Sequence, residues 1–224
     1  MSSGKIFLLF GSTGDLGKAA VKFFLNQNYD YYYFFTRSIF EIQTVKNNYS
    51  IIPISDLTKE EYVAQAFAKV KKKTDAGYYL FSTVGGFIGG ETISATEYAD
   101  FKKMLDINLC SSFLIAKHFA KLIEETEGGS ICFTSALSSL KPEANKAAYN
   151  ISKNALNFLV ETLALEGKGI RLRANAVAPF AIDTQANREW FNDTTKLVSP
   201  KEICQVVQSF FEDNTASGKI VGLP

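Results

Sequence analysis

The chain has 224 residues, 46% of them hydrophobic, which is enough for a buried core in one domain spanning residues 1–224. Its 24 basic and 23 acidic residues leave a net charge of +1, which argues against nucleic acid or a membrane as a partner. The three cysteines lack metal-ligand spacing, and no signal peptide or bilayer-spanning run is visible. We therefore expect a cytoplasmic protein with reduced thiols and no metal site.

The first unit is an apolar run at residues 5–10, a glycine turn and a helical pattern. The run predicts a strand buried on both faces of a parallel sheet. Glycines in such a turn let the backbone approach a pyrophosphate, whose charge then lies at the helix N-terminus. A glycine-rich turn without a ligand is the alternative. The residues predicted to bind a dinucleotide here are Gly11, Ser12, Thr13, Gly14, Asp15, Leu16 and Gly17.

The second predicted strand, residues 31–35, bears on the choice of cofactor. In a Rossmann unit, an acidic residue after this strand binds the ribose hydroxyls of NAD, whereas an arginine suits the 2′-phosphate of NADP. Thr36 occupies the acidic position and Arg37 follows it. The sequence therefore favours NADPH over NADH, unless Arg37 is merely a solvated loop cation.

Strands and helices alternate through the rest of the chain. Further strands are predicted at residues 50–54, 78–83, 129–135, 170–177 and 218–222, and helices at 59–73, 94–106, 108–125, 149–166 and 199–211. This alternation predicts an α/β fold: a doubly wound Rossmann-type parallel sheet of about seven strands with helices on both faces.

Two loops at the ends of predicted strands are candidate ligand contacts, because open α/β sheets bind ligands at the carboxyl ends of their strands. Asp56 follows the third strand, where it would hold an adenine amino group or cap a turn. A second glycine-rich loop follows the fourth strand and begins with Val84, Gly85 and Gly86.

Tyr149 and Lys153 are one helical turn apart, so both side chains leave the same face of the predicted helix. An ammonium beside a phenol favours the phenolate and lowers the pKa of the tyrosine. Tyr149 is therefore a candidate general acid/base, although a pair on a helix surface is the alternative.

Taken in order, these motifs resemble the short-chain dehydrogenase/reductase family along nearly the whole chain. The residues that carry the resemblance are the glycine turn, Asp56 and Leu57, Asn108, the Tyr149/Lys153 pair, the segment 175–179 and Thr184. The resemblance implies hydride transfer from a reduced nicotinamide to a carbonyl or imine-like carbon of a small molecule. It implies Tyr149 as proton donor, Lys153 on the nicotinamide ribose, and Asn108 positioning a water or the surroundings of Lys153.

The same resemblance implies further contacts and an assembly. Pro179, Ile182 and Thr184 would line the cofactor after the sixth strand. The Tyr149 helix and the helix before it would form the interface of a homodimer or homotetramer. The apolar side chains expected to serve both core and interface are Leu156, Leu159, Val160 and Leu163.

One departure from the family pattern concerns its catalytic serine. The matching position is Ala136, and Ser135 beside it would point to the opposite face of a strand. Ser138 or Ser139 would have to lean in from the loop. The chain is similar in this respect to the quinonoid dihydropteridine reductase branch, which also lacks that serine and has a glycine pair before an aromatic residue, here Phe87. That branch commonly prefers NADH, which Thr36 and Arg37 do not match.

Three hypotheses follow. The first is a dihydropteridine-reductase-like enzyme, whose activated substrate would need less help from a serine. The second is a general carbonyl, ketone or quinone reductase, and the third is a non-catalytic dinucleotide-binding sensor or subunit. The side chains expected to contact a substrate are Phe87, Ser135, Ser138 and Trp190. For the aromatic residues, ordinary packing is the alternative.

Overall fold

The structure, a computed structural model, describes residues 4–38, 40–42 and 48–224. Within these ranges the strands are β1 (Gly4–Phe10), β2 (Tyr31–Thr36), β3 (Tyr49–Pro53), β4 (Ala76–Ser82), β5 (Gly129–Thr134), β6 (Leu172–Pro179) and β7 (Ile220–Leu223). All are parallel, in the order β3-β2-β1-β4-β5-β6-β7. The predicted Rossmann-type sheet is confirmed.

Helices cover both faces of this sheet. They are α1 (Asp15–Leu25), α2 (Glu60–Phe67), α3 (Tyr98–Leu105), α4 (Ser111–Ile123), α5 (Ala147–Glu166), α6 (Gln185–Trp190) and α7 (Pro200–Glu212). One face packs on α2, α4 and α5 and the other on α1 and α7. None of the helices in the described part of the chain is long and apolar enough to cross a membrane.

Two helix predictions need correction. The helix predicted at residues 59–73 is shorter in the structure, because α2 ends at Phe67 and the chain continues as a turn. Val70, which lies beyond that end, is nevertheless buried. The two helices predicted at 94–106 and 108–125 form one helical run, in which a π-helical turn at Asp106–Cys110 joins α3 to α4. Such turns are frequent at functional sites, and this one contains Asn108.

The core explains why β1 is apolar throughout. Successive side chains of a strand point to opposite faces, so a strand covered on both faces needs apolar residues at every position. Phe10 stacks on Phe35 on one face, with ring centroids 4.0 Å apart. Phe7 stacks on Phe24 on the other, with centroids 4.3 Å apart. The loops at the carboxyl ends of β1 and β4 therefore start from a rigid, neighbouring pair of strands.

Candidate active site

The glycine turn after β1 is packed too closely for other residues at two positions. Gly11 has φ of +83°, and a Cβ added there would lie 2.6 Å from Oγ1 of Thr83. A Cβ on Gly17 would lie 2.0 Å from the carbonyl oxygen of Gly11. The start of α1 is therefore pressed against the end of β1, as a glycine pair permits.

The N-terminus of α1 fits a phosphate group. Gly14 is its N-cap residue and offers no side chain to the first-turn amides, while a Cβ there would find its nearest atom 3.7 Å away. Open amides at the positive end of a helix favour an anion. Two predicted contacts are turned inward, however: Leu16 is buried in the core, and the hydroxyl of Ser12 donates to the carbonyl of Phe35 at 3.1 Å. These two residues would contribute backbone.

At the end of β2 the hydroxyl of Thr36 is buried and engaged. It donates to the carbonyl of Ser38 at 2.8 Å and lies 3.1 Å from Oγ1 of Thr13. Arg37 is exposed. A carboxylate that could bind ribose hydroxyls is thus replaced by an internally bonded hydroxyl beside a solvent-facing guanidinium.

Asp56, after β3, caps a turn. Its Oδ1 accepts hydrogen bonds from the amide and the hydroxyl of Thr58, at 2.8 and 2.7 Å. These bonds hold the pKa of Asp56 below its ordinary value. Oδ1 of Asp56 therefore caps a turn, and Leu57 packs against the core beside it.

Asn108 joins the loop after β4 to α5. Its side chain is fully buried and binds both backbone groups of Gly86, accepting from N at 2.9 Å and donating to O at 3.0 Å. The same amide donates to the hydroxyl of Ser152 at 2.9 Å, and Ser152 donates to the carbonyl of Tyr149 at 2.7 Å. The first turn of α5 is thereby fixed to the loop.

Lys153 lies at the centre of this arrangement. It is buried, and its ammonium donates to the carbonyl of Thr134 at the end of β5, at 2.7 Å. A Cβ on Gly85 would lie 2.8 Å from this ammonium, so the glycine leaves the space that the lysine uses. Burial lowers the pKa of Lys153 to about 8. Val84, just before this pair of glycines, packs against the core.

The expected lowering of the Tyr149 pKa is wrong for the protein as the structure describes it. Burial raises the pKa of Tyr149 to about 12, because the phenolate loses hydration. The ammonium of Lys153 is directed to the carbonyl of Thr134. Tyr149 is therefore fully protonated at neutral pH, the state in which a phenol donates a proton.

Three serines after β5 are candidates, and Ser139 is buried with its hydroxyl donating to the carbonyl of Ala136 at 2.7 Å. The hydroxyl of Ser135 is buried and donates to Oδ1 of Asn157 at 2.5 Å. The hydroxyl of Ser138 donates to Oδ1 of Asn150 at 2.8 Å. Ala136 is buried between them. The hydroxyls of Ser135, Ser138 and Ser139 therefore all donate to groups of the protein itself.

The predicted substrate aromatics are placed differently from one another. The ring of Phe87 meets the ring of Tyr149 edge-on, with centroids 4.9 Å apart. Trp190, at the end of α6, is 82% exposed, and the neighbouring Phe191 pairs with Phe180 instead. The structure brings Phe87 to the tyrosine and leaves Trp190 in solvent.

The three candidate residues at and beyond the end of β6 are engaged within the protein. Pro179 is buried at the end of the strand, and Ile182 pairs with Val198 in an isolated bridge. The hydroxyl of Thr184 caps α6 by accepting from the amide of Asn187 at 3.2 Å.

Across the described ranges, no group of three or more metal-ligating side chains is placed to hold an ion.

Two contributors to the site were missed from the sequence. Thr83 donates its hydroxyl to the carbonyls of Phe10 and Gly11, at 3.0 and 3.1 Å, and so ties β4 to the glycine turn. Ser152 links Asn108 to Tyr149. Ser152 directly precedes Lys153 in the sequence, and both lie on the buried side of α5. This adjacency is the signal that could have identified Ser152.

The arrangement fits a reduced or oxidised nicotinamide dinucleotide. The N-terminus of α1 is uncapped and the space beside Gly14 is open, while Gly11 and Gly17 let α1 pack closely on the end of β1. Lys153 lies along the same edge of the sheet, beyond β4. The first-turn amides of α1 would hold the pyrophosphate, and Lys153 would hold a ribose hydroxyl.

Comparison with known proteins agrees with this geometry. A sequence profile described as short chain dehydrogenase matches residues 5–195. The chain is 28% identical over 215 residues to a dihydropteridine reductase of Dictyostelium discoideum, covering 95% of this chain and 89% of that protein. It is 27% identical over 195 residues to short chain aldehyde dehydrogenase 1 of Euphorbia lathyris, covering 81% and 65% respectively.

A solved structure of ElxO with NADP bound has the same fold, with a TM-score of 0.87 at 21% identity. The match covers 99% of this chain and 97% of that one. The glycine turn, Asn108, Tyr149 and Lys153 all fall within the segment that the family profile matches. This chain belongs to the short-chain dehydrogenase/reductase family of NAD(P)-dependent oxidoreductases.

Proposed function

We propose that the protein is an NADPH-dependent reductase of dihydropteridine reductase type, acting on a small cyclic acceptor such as a quinonoid dihydropterin. The observation that carries the proposal is Ala136, with the hydroxyls of Ser135 and Ser138 bonded elsewhere. A quinonoid ring is an activated acceptor, because reduction restores its conjugation. Such a substrate needs less polarisation than a ketone, which benefits most from a serine hydroxyl. The similarity to a dihydropteridine reductase over 95% of the chain also supports the proposal.

In this mechanism each side chain has one task. The reduced nicotinamide supplies the hydride. Tyr149 donates its phenolic proton to the substrate atom that becomes electron-rich, and its raised pKa keeps that proton in place until then. Lys153, as an ammonium, stabilises the phenolate that remains. Asn108 positions Tyr149 and Lys153, because it fixes the first turn of α5 through Ser152.

NADPH is proposed over NADH on the basis of the residues after β2. The hydroxyl of Thr36 is bonded to the carbonyl of Ser38, and Arg37 faces solvent, where it can reach a 2′-phosphate. The bound NADP in the structure of ElxO supports the same choice.

The test is oxidation of NADPH and NADH, measured in parallel with quinonoid dihydropterin and with a panel of ketones, aldehydes and quinones. We expect turnover with the pterin, faster with NADPH than with NADH. Turnover of the ketones alone would replace this proposal by the general carbonyl reductase. Binding of NADPH without any turnover would favour a sensor or subunit.

We also propose that the protein forms a homodimer through α4 and α5. Of the four residues predicted for this contact, Leu156, Val160 and Leu163 are buried in the core of the subunit, whereas Leu159 is partly buried. The exposed apolar side chains on these helices are Phe113, Ile151, Phe158 and Leu165, between 49% and 71% exposed. A cavity of about 850 Å³ lies beside α5, and Ile151, Phe158 and Leu159 are among the residues that line it.

Light scattering of Phe158→Lys tests this assembly. We expect a dimer for the unaltered chain and a monomer for the variant, because a charge replaces apolar interface area. Tyr98→Lys, which alters another exposed aromatic residue outside α4 and α5, should remain dimeric.

A cytoplasmic location is proposed from the three free cysteines.

A further inference from the structure

The ring of Phe87 forms one wall around the candidate proton donor. It meets Tyr149 edge-on, with an interplanar angle of 74°, and remains 53% exposed on its other side. An edge-on aromatic contact is directional and excludes water from the part of the phenol that it covers. The position of the Phe87 ring therefore affects the orientation of Tyr149 and the part of its phenol that is exposed to water.

Room for the Phe87 ring is provided by Gly89. A Cβ added to Gly89 would lie 2.8 Å from Cζ of Phe87 and 3.2 Å from the carbonyl oxygen of Asn145. The backbone carbonyl cannot easily yield, so the ring would have to move. Gly89 lies outside the left-handed region of backbone conformation, so an alanine there would act through this contact rather than through backbone strain.

The loop that carries Phe87 is tied to the segment that begins α5. The amide of Gly90 donates to the carbonyl of Asn145 at 2.7 Å. Asn145 has φ of +63° and Gly90 has φ of +115°, conformations that asparagine and glycine adopt more readily than other residues. Because Asn145 lies four residues before Tyr149, in the turn that leads into α5, this bond ties the loop to the segment that carries the tyrosine.

We propose that Gly89 and Asn145 are positioning residues, which hold the Phe87 ring against Tyr149 and so set the orientation and water exposure of the proton-donating phenol. The kinetic part of this inference rests on the proposed function of Tyr149. A substrate then reaches the phenol from the side that Phe87 leaves open. A flat acceptor ring can pack on the exposed part of Phe87 as it does so.

A double-mutant cycle tests whether Gly89 acts through Phe87. Gly89→Ala should lower kcat with quinonoid dihydropterin by about 10- to 100-fold, the range for a misplaced catalytic group, and leave the Kd for NADPH unchanged. In a Phe87→Ala background the same change should have no further effect. Gly169→Ala is the matched control, because its Cβ would meet no described atom within 4 Å. Equal losses in both backgrounds would overturn the proposal.

A spectroscopic measurement keeps this test separate from the proposed function. In protein labelled with 3-fluorotyrosine, the fluorine resonance of Tyr149 is the one that disappears in Tyr149→Phe. Gly89→Ala should shift it when Phe87 is present but not in the Phe87→Ala background. This result is expected even if the protein reduces no pterin, and an unshifted resonance would overturn the inference alone.

Asn145 provides a second pair of variants if Gly89→Ala folds poorly. Asn145→Gly keeps the left-handed backbone available and should preserve both the fluorine resonance and kcat. Asn145→Val disfavours that backbone and should shift the resonance, because the bond to the amide of Gly90 is lost. Identical spectra for the two variants would contradict a positioning role for Asn145.

Discussion

The buried half and the open half of the candidate site are held in different ways. The buried half consists of Gly17, Asn108 and Lys153, together with Gly11 and Gly85, which lie against them. The open half consists of Phe87 and of two exposed aromatic residues in the segment after β6, Phe180 and Trp190. In the buried half, Asn108 is hydrogen-bonded on several sides and Lys153 donates to the carbonyl of Thr134. A Cβ on any of its three glycines would lie 2.8 Å or less from another atom. In the open half each ring has at most one aromatic partner and between 39% and 82% of its surface exposed.

We expect this difference in packing to distinguish the residues that carry out the reaction from those that select the substrate. Groups that bind a cofactor and move a proton must be held to within a fraction of an ångström, which dense packing and multiple hydrogen bonds achieve. Side chains that select a substrate can be replaced at low cost because little else depends on them. The buried half should therefore be intolerant of change. In the open half, Phe180 and Trp190 should respond mainly in the KM for the substrate, whereas Phe87, which packs on Tyr149, should also affect kcat.

The largest effect is expected at the residue where the two halves meet. Tyr149→Phe removes the phenolic proton but keeps the ring that packs on Phe87. We expect kcat to fall by about 10²- to 10⁴-fold, the usual value of a general acid, with the Kd for NADPH unchanged. Stopped-flow assays and NADPH fluorescence titration measure the two quantities. Undiminished turnover would remove Tyr149 from the role of proton donor.

A pair of glycines in the same turn measures how tightly the buried half is packed. Gly17→Ala places a Cβ 2.0 Å from the carbonyl of Gly11, so we expect a loss of about 1–3 kcal/mol in the free energy of unfolding. Gly14→Ala has 3.7 Å of clearance and ordinary φ of −68°, so the stability should change little. Chemical denaturation measures both. Equal losses would mean that the helix shifts readily and that the turn is less rigid than described.

Asn108→Ala removes the amide that joins the loop after β4 to α5. The amide and carbonyl of Gly86 and the hydroxyl of Ser152 all lose their partner. We expect about 1–3 kcal/mol less stability, since buried polar groups left unpaired cost that much, together with a fall in kcat. Asn26→Ala, which loses one exposed bond, is the control and should be near neutral. A stable, fully active Asn108→Ala would deny this residue any positioning role.

Lys153 gives the buried half a signature in pH. Its folded-state pKa of about 8 lies below the ordinary value of 10.5. Between these two pH values the unfolded state binds more protons, so this residue makes stability rise with pH by up to about 1.4 kcal/mol per unit, and the gain is lost as pH falls through 8. The free energy of unfolding of the unaltered chain, minus that of Lys153→Met, should therefore increase as the pH rises from about 8 to 10.5. A constant difference would mean that Lys153 is not desolvated.

The sequence predicted the fold and the main residues of the buried half because both depend on local pattern. Alternating strand and helix periods predicted the sheet, and glycine spacing predicted the turn before α1. The fate of Ser12 could not be predicted, because its hydroxyl binds the carbonyl of Phe35 on a neighbouring strand. The π-helical turn at Asp106–Cys110 was missed because one extra residue in a turn barely alters helical periodicity. The pKa of Tyr149 depends on burial, which spacing to Lys153 does not reveal.

The smallest effect on stability is expected at Trp190, in the open half. It is 82% exposed, so Trp190→Ala should change the free energy of unfolding by no more than about 0.5 kcal/mol. If a flat substrate stacks on this ring, the KM should rise by about 2- to 10-fold with kcat unchanged, because an aromatic pair contributes about 0.5–1.5 kcal/mol. Trp190→Phe keeps a ring and should retain most of the affinity. A KM that stays constant in both variants would restrict the open half to Phe87 and Phe180, and substrate selection would then depend on the loops after β4 and β6.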